Sequence, residues 1–77
     1  MDVELVAWPR DADRRCELER NGLARLLLVE PGVTPPLVRD VLEDWVRLPS
    51  DEREVALRIS HLREMAAAHP APDGTRV

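Results

Sequence analysis

Ala24-Arg25-Leu26-Leu27-Leu28-Val29-Glu30-Pro31-Gly32 is the stretch on which the fold turns. Residues 24–29 read as a strand, and the Leu-Leu-Leu-Val run shows no polar alternation. A strand with one wet face would alternate, so this run predicts a strand covered on both faces, as in a parallel sheet. Glu30-Pro31-Gly32 ends it, because Pro has no N–H for a sheet ladder and Gly permits a sharp turn.

Shorter strand signals lie on either side. Val3 to Trp8 alternates, with Val3, Leu5 and Ala7 on one face and Val6 and Trp8 on the other, and Pro9 stops it. Asp44 to Leu48 places Trp45 and Arg47 on one face and Val46 and Leu48 on the other, and Pro49 stops it. Between the first two strands, Asp11 caps a helix running to about Arg20, and Asn21-Gly22 ends it. Ala12, Cys16 and Leu23 form its apolar side, and Arg15 pairs with Asp11 and Glu19 at helical spacing. Thr34-Pro35-Pro36 predicts the start of a short helix carrying Leu37, Val38, Val41 and Leu42. Ser50 caps a last helix running to about Ala68, with Asp51 and Glu52 in its first turn. Val55, Ile59, Leu62 and Ala66 form its apolar stripe, with Met65 at the margin, and Leu57 points away.

The order strand, helix, strand, short helix, strand, helix predicts an α/β fold. Its centre is a small three-stranded parallel sheet with right-handed crossovers. Residues 1–68 form the domain, and the Pro- and Gly-bearing residues 69–77 read as a flexible tail or linker.

Composition narrows the function. The chain has 77 residues, 11 basic and 15 acidic, for a formal net charge of −4, and every basic residue is Arg. There is no basic footprint for nucleic acid and no polybasic stretch for an anionic membrane. No apolar run approaches the roughly 20 residues of a membrane span, and the acidic start Met1-Asp2-Val3-Glu4 is unlike a signal peptide. One cysteine, Cys16, excludes an internal disulfide, and a reducing cytoplasmic setting is expected. With no Phe or Tyr and two Trp, the core rests on Leu, Val, Ile and Ala. Small domains of this kind often gain stability by self-association.

Candidate chemistry is sparse. Asp11, Asp13 and Glu30 follow strand ends, where ligands sit in open parallel sheets, and three carboxylates there would suit Mg²⁺. Against this, Asp11 serves as a helix cap, and Arg10 and Arg14 neutralise the others. His61 reads as a surface residue and His69 as part of the tail, neither with a second ligand at metal spacing. Cys16 reads as a small core residue. No phosphate-cradling glycine loop or nucleophile elbow is present, so neither an enzyme nor a bound cofactor is expected. Trp8 and Trp45 are core edges or interface anchors, and outward Leu57 is a further interface candidate.

Two stretches resemble a known family. Leu26-Leu27-Leu28-Val29-Glu30-Pro31-Gly32 resembles the third strand of response-regulator receiver domains. There an apolar run delivers the phospho-acceptor Asp and a loop with Pro and Gly follows. Asp44 to Pro49, then Ser50 to Val55, then a helix with Arg58, Ile59, Leu62 and Arg63, resembles the receiver's end. In that family the fifth strand finishes in Lys-Pro, and the last helix carries a leucine-x-x-arginine-leucine type of pattern. Most of residues 3–68 are similar to a shortened receiver-like N-terminal domain of an OmpR/PhoB-type winged-helix transcription regulator.

The departures fall on the chemistry. Glu30 stands at the acceptor position and Leu48 at the Lys, with Pro49 retained. The acidic pair is displaced to Asp11 and Asp13, and two of the five strands are missing. The resemblance therefore implies a non-catalytic, non-phosphorylated dimerisation domain. In the family the last strand and helix belong to the dimerising surface. A homodimer would set the spacing of two C-terminal winged helices, with no nucleic acid touched by this domain. The alternatives are a stand-alone protein–protein adaptor and a metal-dependent phosphate-handling domain.

Overall fold

The computed structural model describes residues 3–68; the tail expected over 69–77 lies outside them. Strand β1 spans Glu4–Trp8, helix α1 Ala12–Arg20, strand β2 Arg25–Val29, strand β3 Glu43–Arg47 and helix α2 Glu52–Ala68. The strands form one parallel sheet in the order β1-β2-β3. The α/β class and the three-stranded parallel sheet agree with the sequence reading.

Alternation along the strands divides the core in two. On the α1 face, Val6, Leu18 and Leu27 are buried, with Trp8, Leu23 and Trp45 packed against them. On the other face, Ala24, Leu26, Leu42, Val46 and Leu62 are buried beneath Val55, Ile59, Met65 and Ala66 of α2. Leu26 and Leu27 thus point to opposite faces and both find cover, which is why their strand shows no polar alternation.

Local chemistry sets the boundaries. At the end of α1, the Leu23 N–H donates to the Leu18 carbonyl and the Gly22 N–H to the Glu19 carbonyl. Gly22 takes φ +67, and Leu18 and Leu23 share the α1-face core. This is a Schellman ending, where glycine spares the Cβ clash of the left-handed region. After β2, the Val33 N–H donates to the Glu30 carbonyl across Pro31-Gly32, with Gly32 at φ +79. That is the pattern of a type II turn.

Four expectations are corrected. Residues 34–42 form no helix. Pro35 and Pro36 lack N–H groups, and the Asp40 carboxylate accepts the Leu42 N–H locally, which competes with helical bonding. The β2–β3 crossover is instead an irregular connection tied to α1. Arg15 donates to the Leu37 carbonyl at 2.7 Å and Arg39 to Glu19 at 2.6 Å. Cys16 is exposed, because α1 turns Arg15 and Leu18 toward the sheet. Arg15 does not pair along its helix; it reaches across to Glu43. Finally, Asp51 rather than Ser50 caps α2: its carboxylate accepts the Arg53 N–H at 2.7 Å and its carbonyl the Val55 N–H.

Candidate functional site

The C-terminal ends of parallel strands are where such sheets place their ligand groups. Here those ends lead into Pro9-Arg10-Asp11, Glu30-Pro31-Gly32 and Leu48-Pro49-Ser50. Glu30 follows the central strand directly, as the run of Leu26 to Val29 requires. Its carboxylate lies 3.8 Å from Arg10, and both side chains are open to solvent. Asp11 opens α1 but makes no side-chain capping bond. Among the described residues, no three His, Cys, Asp or Glu side chains gather as a metal-ligand set, so Asp11, Asp13 and Glu30 do not form one. Beside Glu30, Arg47 donates to the Val33 carbonyl at 2.8 Å and fastens the turn to the end of β3. Leu48 donates its N–H to the Val29 carbonyl and puts no cation at this end. This end of the sheet thus carries an exposed Glu30–Arg10 pair beside the apolar Leu48-Pro49.

The concentrated charge is at the opposite end. Arg25 and Glu43 open β2 and β3 and are register partners. Glu43 Oε1 accepts Nε of Arg15 at 2.9 Å and Nε of Arg25 at 2.8 Å. Its Oε2 accepts Nη2 of Arg15 at 2.7 Å and the Arg39 backbone N–H at 3.0 Å. Arg25 also donates to Asp40 at 2.9 Å and to the Leu23 carbonyl at 2.8 Å. Arg15, Arg25 and Glu43 are all buried. Burial pushes the Glu43 carboxyl up, but the hydrogen bonds from Arg15, Arg25 and the Arg39 backbone outweigh it, and the group stays below the usual carboxylate range. The bond to Glu43 raises the Arg15 guanidinium above its ordinary value. The Arg15 guanidinium also lies 5.1 Å from the Trp8 ring centre. This network joins α1, β2, β3 and the crossover, and its carboxylate is saturated with donors. It acts as a clamp on the fold. Sequence inspection missed it, because at helical spacing Arg15 looks like one more surface charge. The one available signal was Arg25, a charged residue opening a strand that is otherwise apolar.

The interface candidates fall on different surfaces. Trp8 and Trp45 are half-buried on the α1 face, and Arg47 lies 5.7 Å from the Trp45 ring centre. Leu57 is 68% exposed on α2. Along the outer edge of β3, a shallow cavity of about 300 Å³ lies against the first turns of α2. Arg58 bridges Asp44 at 3.0 Å and Glu54 at 2.8 Å there. His61 is exposed and borders an open groove of about 420 Å³ with Val38, Val41 and Met65. Leu37 of the crossover is 90% exposed. No helix among the described residues is long and apolar enough to cross a membrane. No family model, no curated protein and no solved structure matches this chain.

Proposed function

We propose that this chain is a non-catalytic, non-phosphorylated receiver-like domain that pairs with a second copy and serves a winged-helix transcription regulator. The supporting observation is the end of the central strand. Leu26 to Val29, covered on both faces, deliver Glu30 rather than Asp to the position of an acceptor, beside Leu48-Pro49 rather than Lys-Pro. The delivery device of a receiver is kept while its reactive groups are exchanged. Its acidic balance suits a part that stays off DNA. A cytoplasmic setting belongs to the same proposal.

Sedimentation equilibrium of residues 1–77 tests the pairing, and a two-fold species is expected. A folded monomer at all concentrations would overturn it. Treatment with a small phosphodonor is expected to leave the mass unchanged, and a stable added phosphate would contradict the exchange at Glu30. A second reading, a monomeric adaptor, is favoured by one feature: the crossover shows Leu37, Val38 and Val41 to solvent. A monomer in sedimentation would move the reading there.

A further inference from the structure

The two edges of the sheet are not equivalent. The bonds flanking the β1–β2 ladder, from Glu4 N–H to the Ala24 carbonyl and from Glu30 N–H to the Trp8 carbonyl, set its phase. In a parallel ladder alternate residues bond the neighbour, so Glu4, Val6 and Trp8 face β2 and the backbone groups of Leu5 and Ala7 point outward. The same reasoning, from the bonds Arg25 N–H to the Leu42 carbonyl and Leu48 N–H to the Val29 carbonyl, turns Glu43, Trp45 and Arg47 outward on β3.

Two of the outward amides on the β3 edge are engaged within the chain. Its Glu43 N–H donates to the Asp40 carbonyl at 3.2 Å, and its Trp45 N–H to the Asp44 carboxylate at 2.8 Å. A side chain that caps its neighbour's amide blocks an incoming strand. On β1, the Ala7 carbonyl accepts the Asp11 N–H at 2.8 Å. The Leu5 N–H, the Leu5 carbonyl and the Ala7 N–H remain open toward solvent among the described residues. The Leu5 side chain is 49% exposed, because α2 packs on β2 and β3 and leaves this strip bare.

We propose that β1 pairs antiparallel with β1 of a second copy, Leu5 opposite Leu5, joining two sheets into one of six strands. This rests on the dimerisation reading above and names its surface. A second copy is the fitting occupant for three reasons. Because the Glu43 and Trp45 amides are engaged within the chain, the β3 edge offers an incoming β1 fewer donors than another β1 does. A two-fold pairing then closes after two copies. On β1, Leu5 has both its backbone donor and its acceptor open, and a self-opposed residue exchanges both bonds with its mate. The charge beside it is already balanced, since Glu4 holds Arg14 at 2.6 Å. The two Leu5 side chains would cover each other on the face that α2 leaves bare.

The test is sedimentation equilibrium of the full chain carrying Leu5→Glu, Leu5→Lys, both mixed, or Leu57→Arg, with circular dichroism to check folding. Because position 5 opposes itself, each Leu5 variant alone should associate at least about tenfold more weakly than the unaltered chain. Their equimolar mixture should regain a one-to-one dimer, a result that a misfolded variant would not produce. Leu57→Arg should leave association unchanged. If Leu57→Arg abolishes the dimer while the Leu5 variants keep it, the β1 pairing is wrong and the dimerisation reading survives. If the unaltered chain stays monomeric, both fall.

Discussion

Glu43→Gln isolates the electrostatic contribution of the buried clamp, because the side-chain volume hardly changes. In the native chain the carboxylate accepts four hydrogen bonds, two from Arg15, one from Arg25 and one from the Arg39 backbone. The amide keeps one oxygen and turns an NH₂ donor toward groups that are themselves donors. Arg25 then keeps only partly solvated Asp40 as a counter-charge, and Arg15 keeps the Leu37 carbonyl and the charge of Glu19. Breaking a buried pair from one side costs about 3–5 kcal/mol. A chain of 77 residues has about 4–12 kcal/mol of stability in all. The variant should therefore lose a large share of its stability. Urea unfolding followed by Trp fluorescence reads this directly, since Trp8 lies against Arg15. Glu54→Gln is the matched control: its exposed pair with Arg58 should contribute no more than about 0.5 kcal/mol. Replacing the three charges together, by Arg15→Met, Arg25→Met and Glu43→Leu, should restore stability to near or above the starting level, because the apolar set carries no desolvation cost. A loss below about 1 kcal/mol for Glu43→Gln would refute the clamp.

Three further outcomes follow from the same geometry. Glu43 is held below its ordinary value of 4.5, so the unfolded chain binds this proton first as pH falls. Its contribution should be complete above about pH 4.5 and fade as pH drops through the folded value, and Glu43→Gln should remove that part of the pH dependence of the urea midpoint. Leu62→Ala empties a fully buried position under α2 and should cost about 2–5 kcal/mol in urea unfolding, whereas exposed Leu57→Ala should stay within about 0.5 kcal/mol. Gly32→Ala puts a Cβ at φ +79 with no atom within 4 Å, so backbone strain alone should lower stability by about 1 kcal/mol; an unchanged thermal midpoint would mean that the turn relaxes.

The strands and helix α2 with its buried face were legible in the chain because each follows from a local rule, whereas the buried face of α1 was not, since Arg15 and Leu18 rather than Cys16 turn to the sheet. Period two in Val3 to Trp8, continuous cover in Leu26 to Val29 and the stripe Val55, Ile59, Leu62 in α2 each need only near neighbours in sequence. Glu30 and Leu48-Pro49 were found the same way, by counting from the ends of their strands. Packing decided the rest. The Glu43 carboxylate meets Arg15 and Arg25 from 28 and 18 residues away, and no local pattern marks those arginines as buried. Residues 34–42 carry helical spacing, yet the long-range bond from Arg15 to the Leu37 carbonyl and the local bond from the Arg39 amide to Glu43 hold them out of a helix. Which sheet edge stays open was also settled only in three dimensions. It depends on the ladder phase and on the Asp44 side chain turning back to the Trp45 amide. Local rules act through the backbone of a few residues, whereas buried charge and open edges depend on partners that only the folded chain brings together.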